Sequence, residues 1–376
     1  MIEFADQTGL SKNKKPPRRY LWTDAFAVCN FLTLYRQTGD EKYRRLALDL
    51  VDQVHAVLGR HREDDTRSGW ISGLDEVMGA RHPTAGGLRI GKTLNERKPD
   101  EPYDERSEWD RDGQYFHYLT KWMHALERTA AATAEPTYIR WAMELAKAAH
   151  AAFAYVPATG GATRMYWKMS IDLSHPLVPS MGLHDPLDAF VTYNELRTYT
   201  RKRPGGTTMF DLSEQIAETA AMCAGKNFTT ADPLGIGGLL FDACRAAQLT
   251  VSADFAAPAL TEALLRASNY GLDAFLHKDP LNDPVDYRLA FRELGLSIGL
   301  RAVEKMRDII ENDRSLFADS LFRQTETVTE YLSLSGVIER FWRDPAHQQS
   351  AGWRANRDIN MVMLATSLTP EEFLAI

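Results

Sequence analysis

Three times in the middle of the chain an aspartate-proline pair precedes an apolar, helix-like run: Asp185-Pro186-Leu187, Asp232-Pro233-Leu234 and Asp283-Pro284-Val285. An aspartate can accept the unpaired N–H groups of a first helical turn. A proline directly after it has φ already set and lacks an N–H that the first turn does not need. Each pair therefore predicts a helix start. Their near-constant spacing leaves room for two helices per interval, the pattern of a stacked array of helical hairpins.

Apolar residues recur at helical spacing from Trp22 to Arg36 and from Glu41 to Leu58, which gives a first hairpin. A second follows the long segment Gly59 to Asp112. Its first helix carries Tyr115, Tyr118, Leu119, Trp122, Met123 and Leu126, and its second carries Tyr138, Trp141, Ala142, Leu145 and Phe153. Aligning Thr38, Asp40, Tyr43, Ala47 and Leu50 with Thr133, Glu135, Tyr138, Ala142 and Leu145 keeps one offset throughout, so the repeat is in the residues as well as the pattern. Further helices are predicted near 186–200, 211–224, 234–249, 256–276, 285–299, 302–312, 315–343 and 355–367, while strand-like alternation is nearly absent. Twelve helices in six sequential pairs exceed a four-helix bundle but can close into a toroid of alternating inner and outer helices. The expected fold is an all-α (α/α)6 barrel, a single domain over 1–376 with a long insertion at about 59–112.

The chain has 376 residues, 44% of them apolar, enough for a large core. A net charge of −7 and no basic block beyond Lys12 to Arg19 give no footprint for nucleic acid or an anionic membrane, and a small neutral or polar substrate fits better. Cys29, Cys223 and Cys244 are odd in number and in apolar helical contexts, so a disulfide scaffold is not expected. The stretch Met1 to Tyr20 lacks the apolar core of a secretion signal, and no run of about 18 apolar residues could span a bilayer. A cytoplasmic protein is expected.

If the odd-numbered helices form the inner ring, the segments entering them gather at one end, and these are rich in Trp, Tyr, His, Asp, Glu and Arg. Turns at the other end, such as Thr38-Gly39-Asp40, are short and plain. Function is expected where the long loops are. The densest constellation runs from Leu94-Asn95-Glu96-Arg97 through Asp104 to Asp112 and on to Gln114, Tyr115, His117 and Tyr118. A second comprises Arg164 to Lys168 and His175 through His184-Asp185 to Asp188. Paired carboxylates across an aromatic cleft suit glycosidic chemistry: one acid for the leaving oxygen, one carboxylate for water, and aromatic faces for the sugar.

Each of these residues also has a plainer reading. Asp185, Asp232 and Asp283 repeat the geometry of caps. Asp112 follows Asp110 by two residues and precedes Gly113, so one of that pair exceeds what capping requires. Trp122 and Trp141 read as core, whereas Trp22, Trp109 and Trp167 lie away from helix middles. His117 and His124 read first as structural histidines, and Arg97 and Arg106 as charge balance. Gly86-Gly87-Leu88-Arg89-Ile90-Gly91-Lys92-Thr93 matches the phosphate-binding pattern G-x-x-x-x-G-K-[ST], but neither a strand before it nor a helix after it is predicted, so nucleotide binding is not expected. The ten histidines show no paired-ligand spacing, and no G-x-S-x-G elbow occurs, so neither a metal nor another cofactor is expected.

Tyr20-Leu21-Trp22-Thr23-Asp24, Trp109-Asp110-Arg111-Asp112-Gly113-Gln114-Tyr115 and Gly182-Leu183-His184-Asp185-Pro186 together resemble the six-hairpin glycosidase superfamily. That group includes unsaturated glucuronyl hydrolases, with N-acylglucosamine 2-epimerases as toroid relatives. Likeness to the hydrolases implies paired inner-helix aspartates acting on water and sugar, nearest here to Asp112 with Asp185 or Asp188. Likeness to the epimerases implies histidine acid/base pairs on late inner helices, where this chain offers His277 and His347.

The leading expectation is a carbohydrate-active enzyme, a glycoside hydrolase with direct water attack. Asp112 is its expected acid or base, with Glu96, Asp110 and Asp188 as possible partners. Trp22, Asp24, Arg97, Trp109, Gln114, His117, Tyr166, Trp167, His184 and Asp185 are the expected sugar-binding set. Two alternatives stand beside it: a sugar 2-epimerase or aldose–ketose isomerase, and a non-catalytic glycan- or protein-binding toroid.

Overall fold

The computed structural model describes all residues except 12–15, 99, 179, 203–210, 253–254 and 256–257, and the side chain of Pro258. Part of the basic Lys12 to Arg19 stretch and the first two residues of the helix expected over 256–276 therefore lie outside the described residues. The chain divides into two compact units, Ile2–Ala224 and Gly225–Ile376, the latter with Met1.

In the first unit a short α1 (Ile2–Gln7) precedes the hairpin of α2 (Leu21–Thr38) and α3 (Glu41–Leu58). Gly39 closes α2 at φ +68°, and the Asp40 carboxylate accepts from the N–H of Lys42 at 2.9 Å to open α3. The insertion holds two short helices, α4 (Glu76–Arg81) and α5 (Glu105–Asp110). The second hairpin is α6 (Phe116–Thr133) with α7 (Pro136–Phe153), and the third is α8 (Asp185–Arg201) with α9 (Ser213–Cys223). The repeat read from the residues recurs in the hydrogen bonds. The Thr38 hydroxyl donates to the Leu34 carbonyl and accepts from the Asp40 N–H, and the Thr133 hydroxyl does the same with Thr129 and Glu135. Ala134 takes the place of Gly39 at φ +59°, a region that disfavours a side chain.

The helices opening each hairpin differ from those closing it. On α2, α6 and α8 the buried residues run almost all the way round and include Asn30, His124, Glu127, Thr192 and Glu195. On α3 they form one stripe, Ala47, Leu50, Val51, Val54 and Leu58. Helix α6 packs on α2 and α8, and α3, α7 and α9 each pack on their own partner. Short strands dress the entrance to α6 and α8. β1 (Gln114–Tyr115), β4 (Lys168–Met169) and β5 (Pro176–Val178) form an antiparallel sheet in the order β1-β4-β5, and β2 (Ala154–Tyr155) pairs with β3 (Arg164–Met165).

The phosphate-binding pattern is a packed turn. Gly87 and Gly91 have φ of +76° and +92°. A Cβ on the first would meet Gln114 Oε1 at 2.0 Å and on the second the Arg19 carbonyl at 2.2 Å, so these glycines admit neighbouring protein atoms. Leu94 then bridges Arg111, and the next helix begins only at Glu105.

In the second unit, α10 (Pro233–Val251) packs on α11 (Pro258–His277) and α12 (Ala290–Asn312). α12 in turn packs on α13 (Asp319–Thr329), α14 (Ser333–Arg343) and α16 (Arg357–Leu368), with the short α15 (Ala351–Ala355) between the last two. Two expectations are corrected here. The segments 285–299 and 302–312 are one helix starting at Ala290, since no proline interrupts it and Gly299 lies within it, packed on Gly237, and the single helix expected over 315–343 is two, broken at 330–332. Where α10 and α12 cross, glycines let the backbones meet: a Cβ at Gly237 would lie 2.0 Å from the Gly295 carbonyl. Among the described residues no helix is long and apolar enough to cross a membrane.

The three aspartate-proline pairs have three fates. Asp232 is a true cap, its carboxylate accepting from Gly235 N–H at 3.2 Å and from Arg292 at 2.7 Å. Asp283 lies between two 3-10 turns, ahead of a helix that starts seven residues later. Asp185 is the first residue inside α8, the cap position falling to His184, and its carboxylate makes no capping bond.

Candidate functional site

On α6, His117, Lys121, His124 and Arg128 fall at i, i+4, i+7 and i+11, one face of the helix. On α8, Asp185, Asp188 and Glu195 occupy positions i, i+3 and i+10, again one face. The packed pair brings these stripes together in three rungs. At the entrance, His117 Nδ1 stands 3.5 Å from Asp185 Oδ1. In the middle, Lys121 Nζ donates to both oxygens of Asp188 at 2.7 Å, and the Thr120 hydroxyl adds a bond of 2.6 Å to Oδ2. Deepest, His124 and Glu195 meet at 2.6 Å with both side chains at most 1% exposed.

Accessibility falls along this ladder. The His117 side chain is 35% exposed, against 10% for Lys121 and 0% for His124. Asp185 is 7% exposed at its side chain, and its Oδ2 is buried without a hydrogen-bond partner among the described residues. An unbonded buried carboxylate oxygen is costly, so a ligand group that donates to it is favoured there. At the deep end, ligand atoms of His124, Glu127 and Glu195 lie within 4.8 Å of one another, a grouping of metal-binding type. Arg128, with Nε 3.5 Å from Glu127, already supplies positive charge beside it.

Aromatic rings surround the entrance rung. Tyr115 stacks on His117 at 5.6 Å and 11°, and Trp22 and Tyr118 meet it edge-on at 5.9 and 4.8 Å. The Trp22 indole N–H and the Tyr115 hydroxyl are likewise buried without hydrogen-bond partners among the described residues. The Tyr118 hydroxyl shares a 2.7 Å bond with that of Tyr20, and burial pushes its phenol well above the ordinary value. On its other side Tyr115 stacks on Trp167 at 5.1 Å, and Trp167 leans on Trp109 at 5.6 Å.

The carboxylate expected to lead the chemistry has a different place. Asp112 is fully buried. Its Oδ1 accepts from the N–H groups of Gly91 and Gly113, and its Oδ2 from Arg89 at 2.9 Å and Arg62 at 3.3 Å. With every lone-pair direction occupied and no exposed surface, it clasps the insertion to β1. Glu96 is similarly engaged, by Arg67 and by the Ile171 N–H. Arg67 gathers Asp65 and Asp172 as well. Burial works to raise the Asp172 carboxyl, but bonds from Ser174 and Ser170 and the Arg67 charge outweigh it and hold the group down at about 2. Asp110 is exposed at the end of α5.

Among the expected sugar-binding residues, Asp24 accepts from the Tyr20 N–H at 2.9 Å and lies 3.5 Å from Arg19. Gln114 accepts from Leu88 and donates to Gly86 and Ile171, buried throughout. Arg97 is spent on Glu108 and the carbonyls of Glu101 and Leu177, and Tyr166 stacks on Tyr155 at 3.9 Å. Trp22, His117, Trp167, Asp185 and Asp188 do come together, with His184 half-buried at the α8 cap. Lys121, Thr120 and Glu195 belong with them but did not stand out in the sequence. Their signal was periodic, a basic stripe and an acidic stripe on consecutive inner helices.

No protein-family model and no curated protein matches the chain. Solved structures do. The cellobiose 2-epimerase of Spirochaeta thermophila is similar at 11% identity over 95% of this chain and 87% of its own, with a TM-score of 0.51. The GH76 α-mannanase of Bacteroides thetaiotaomicron is similar at 7% identity over 94% and 87%, also with a TM-score of 0.51. Identities this low speak to fold alone, and the fold this chain shares with these two structures is the (α/α)6 toroid.

Proposed function

We propose that the chain is a carbohydrate-active enzyme that moves a proton at the carbon beside a sugar carbonyl, as a 2-epimerase or an aldose–ketose isomerase. His117 takes and returns the proton, and Asp185 is the carboxylate that holds the imidazole and balances its charge. The observation that carries this reading is the entrance rung: a half-exposed histidine facing a buried carboxylate that is released from capping and keeps one oxygen unbonded.

In the reaction, the C–H bond pair moves into the new C=C bond as the proton passes to His117, and the carbonyl electrons settle on oxygen as an enediolate. Lys121, one turn further along the same face, contributes positive charge toward that oxygen. Return of the proton by His117 to the neighbouring carbon, with the hydroxyl proton passing between the two enediolate oxygens, gives the isomer; the epimer requires the enediolate to turn over before His117 returns the proton, or a second acid on its opposite face. Trp22, Trp167 and Tyr118 offer ring faces and a hydroxyl to the sugar. The toroid is shared equally with an epimerase and a mannanase, so the fold does not choose between the chemistries. Burial of Asp112 is what weighs against paired-carboxylate hydrolysis.

Proton NMR of the protein with a panel of free sugars and oligosaccharides in deuterated water tests the reading. The expected result is loss of a carbon-bound proton signal without bond cleavage, reduced by about 100-fold or more in His117→Asn. New reducing-end anomeric signals would instead establish hydrolysis.

A further inference from the structure

We infer that Trp109 is the landing face for an outer sugar ring, so that the ligand of this chain is a di- or oligosaccharide in preference to a single sugar. The inference rests on the entrance rung being where the reacting sugar sits.

Trp109 is 53% exposed, yet the turn that carries it is firmly held. Its neighbour Glu108 is buried and accepts from Lys168 at 2.7 Å and from Arg97 at 3.2 Å. Lys168 also reaches the carbonyls of Glu108 and Arg111. An indole held half-exposed on a braced support offers a ligand a flat apolar face with little ordering left to do. The ring it leans on is fixed too: the Trp167 indole N–H donates to Ser180 at 2.7 Å, and its carbonyl accepts from Phe116 N–H at the start of α6.

The path to the reacting position is a sequence of ring contacts. From His117 to Tyr115, from Tyr115 to Trp167 and from Trp167 to Trp109 the centroids step by 5.6, 5.1 and 5.6 Å. One pyranose is comparable to one such step, whereas linked rings can lie along several of them, with an end ring at His117 and a later ring on Trp109. Exposed Asp110, the next residue in the chain, adds an acceptor for sugar hydroxyls to the same turn.

The test compares a monosaccharide with its β-linked disaccharide and trisaccharide in saturation-transfer NMR, using the full chain and its Trp109→Ala and Trp109→Phe variants. Binding is expected to tighten by about three- to tenfold on going to the longer ligands, a gain lost in Trp109→Ala and largely kept in Trp109→Phe. Equal binding at all lengths, or a length-dependent gain that survives Trp109→Ala, would overturn the inference. Because the measurement needs no turnover, it stands apart from the proposed chemistry. Length-dependent binding with no conversion of any sugar would sink the epimerase reading and leave the outer-ring platform standing.

Discussion

Asp112 stands just ahead of β1 and Asp185 opens α8, and the sequence weighs Asp112 first. The difference lies in what surrounds each carboxylate, because Arg62 and Arg89, distant in the chain, take Oδ2 of Asp112 while the N–H groups of Gly91 and Gly113 take Oδ1. Asp112→Asn should therefore lower unfolding stability by about 3 kcal/mol in urea titration, since the buried Arg89 guanidinium loses its counter-charge while Arg62 keeps Asp64. Turnover per folded molecule should stay within a few-fold of wild type. A large loss of turnover at unchanged stability would return Asp112 to the chemistry. His55 supplies a second residue-scale expectation. It is buried, accepts from the Trp122 indole at 3.1 Å, and burial lowers it to about 3. The unfolded chain protonates this group near its ordinary value of about 6.5, so its contribution is complete above that pH and is lost as pH falls toward 3. Replacing it by Gln, which can still accept from Trp122, should flatten the fall in unfolding free energy measured between pH 7 and pH 4.

At the scale of elements, helix existence was legible because inner and outer helices alike carry helical periodicity, and boundaries were legible where a real cap stands, as at Asp40 and Asp232. The start expected at 285 is displaced because Asp283-Pro284 leads into a 3-10 turn, with the helix delayed to Ala290. The ladder between α6 and α8 escaped notice because each rung joins residues about 70 positions apart. Its middle rung gives a quantitative expectation. Lys121→Met alone should destabilise by about 3 kcal/mol by leaving Asp188 buried beside an apolar chain, and Lys121→Met with Asp188→Leu should recover most of that loss in a double-mutant cycle. Additive losses would mean that the two groups are not coupled.

For the molecule as a whole, the toroid class was readable from the count of hairpins and from one repeated set of residues, Thr38 to Leu50 against Thr133 to Leu145, whose hydrogen bonds the two hairpins share. The candidate site was readable only as a neighbourhood. Composition pointed to the long, aromatic segments, whereas the identity of the exposed partners depended on which carboxylates the fold uses for itself. Asp185 escapes such use because Pro186 sets the start of α8 and His184 takes the cap position. A selection for heat resistance alone would thus work against this residue: Asp185→Ala should raise the melting temperature by about 2 °C or more, since relief of an unsatisfied buried oxygen outweighs the helix-start charge it gives up. A library ranked by thermal shift would enrich for chains without this carboxylate, and under the proposed chemistry Asp185 is where a drift away from activity would first be read.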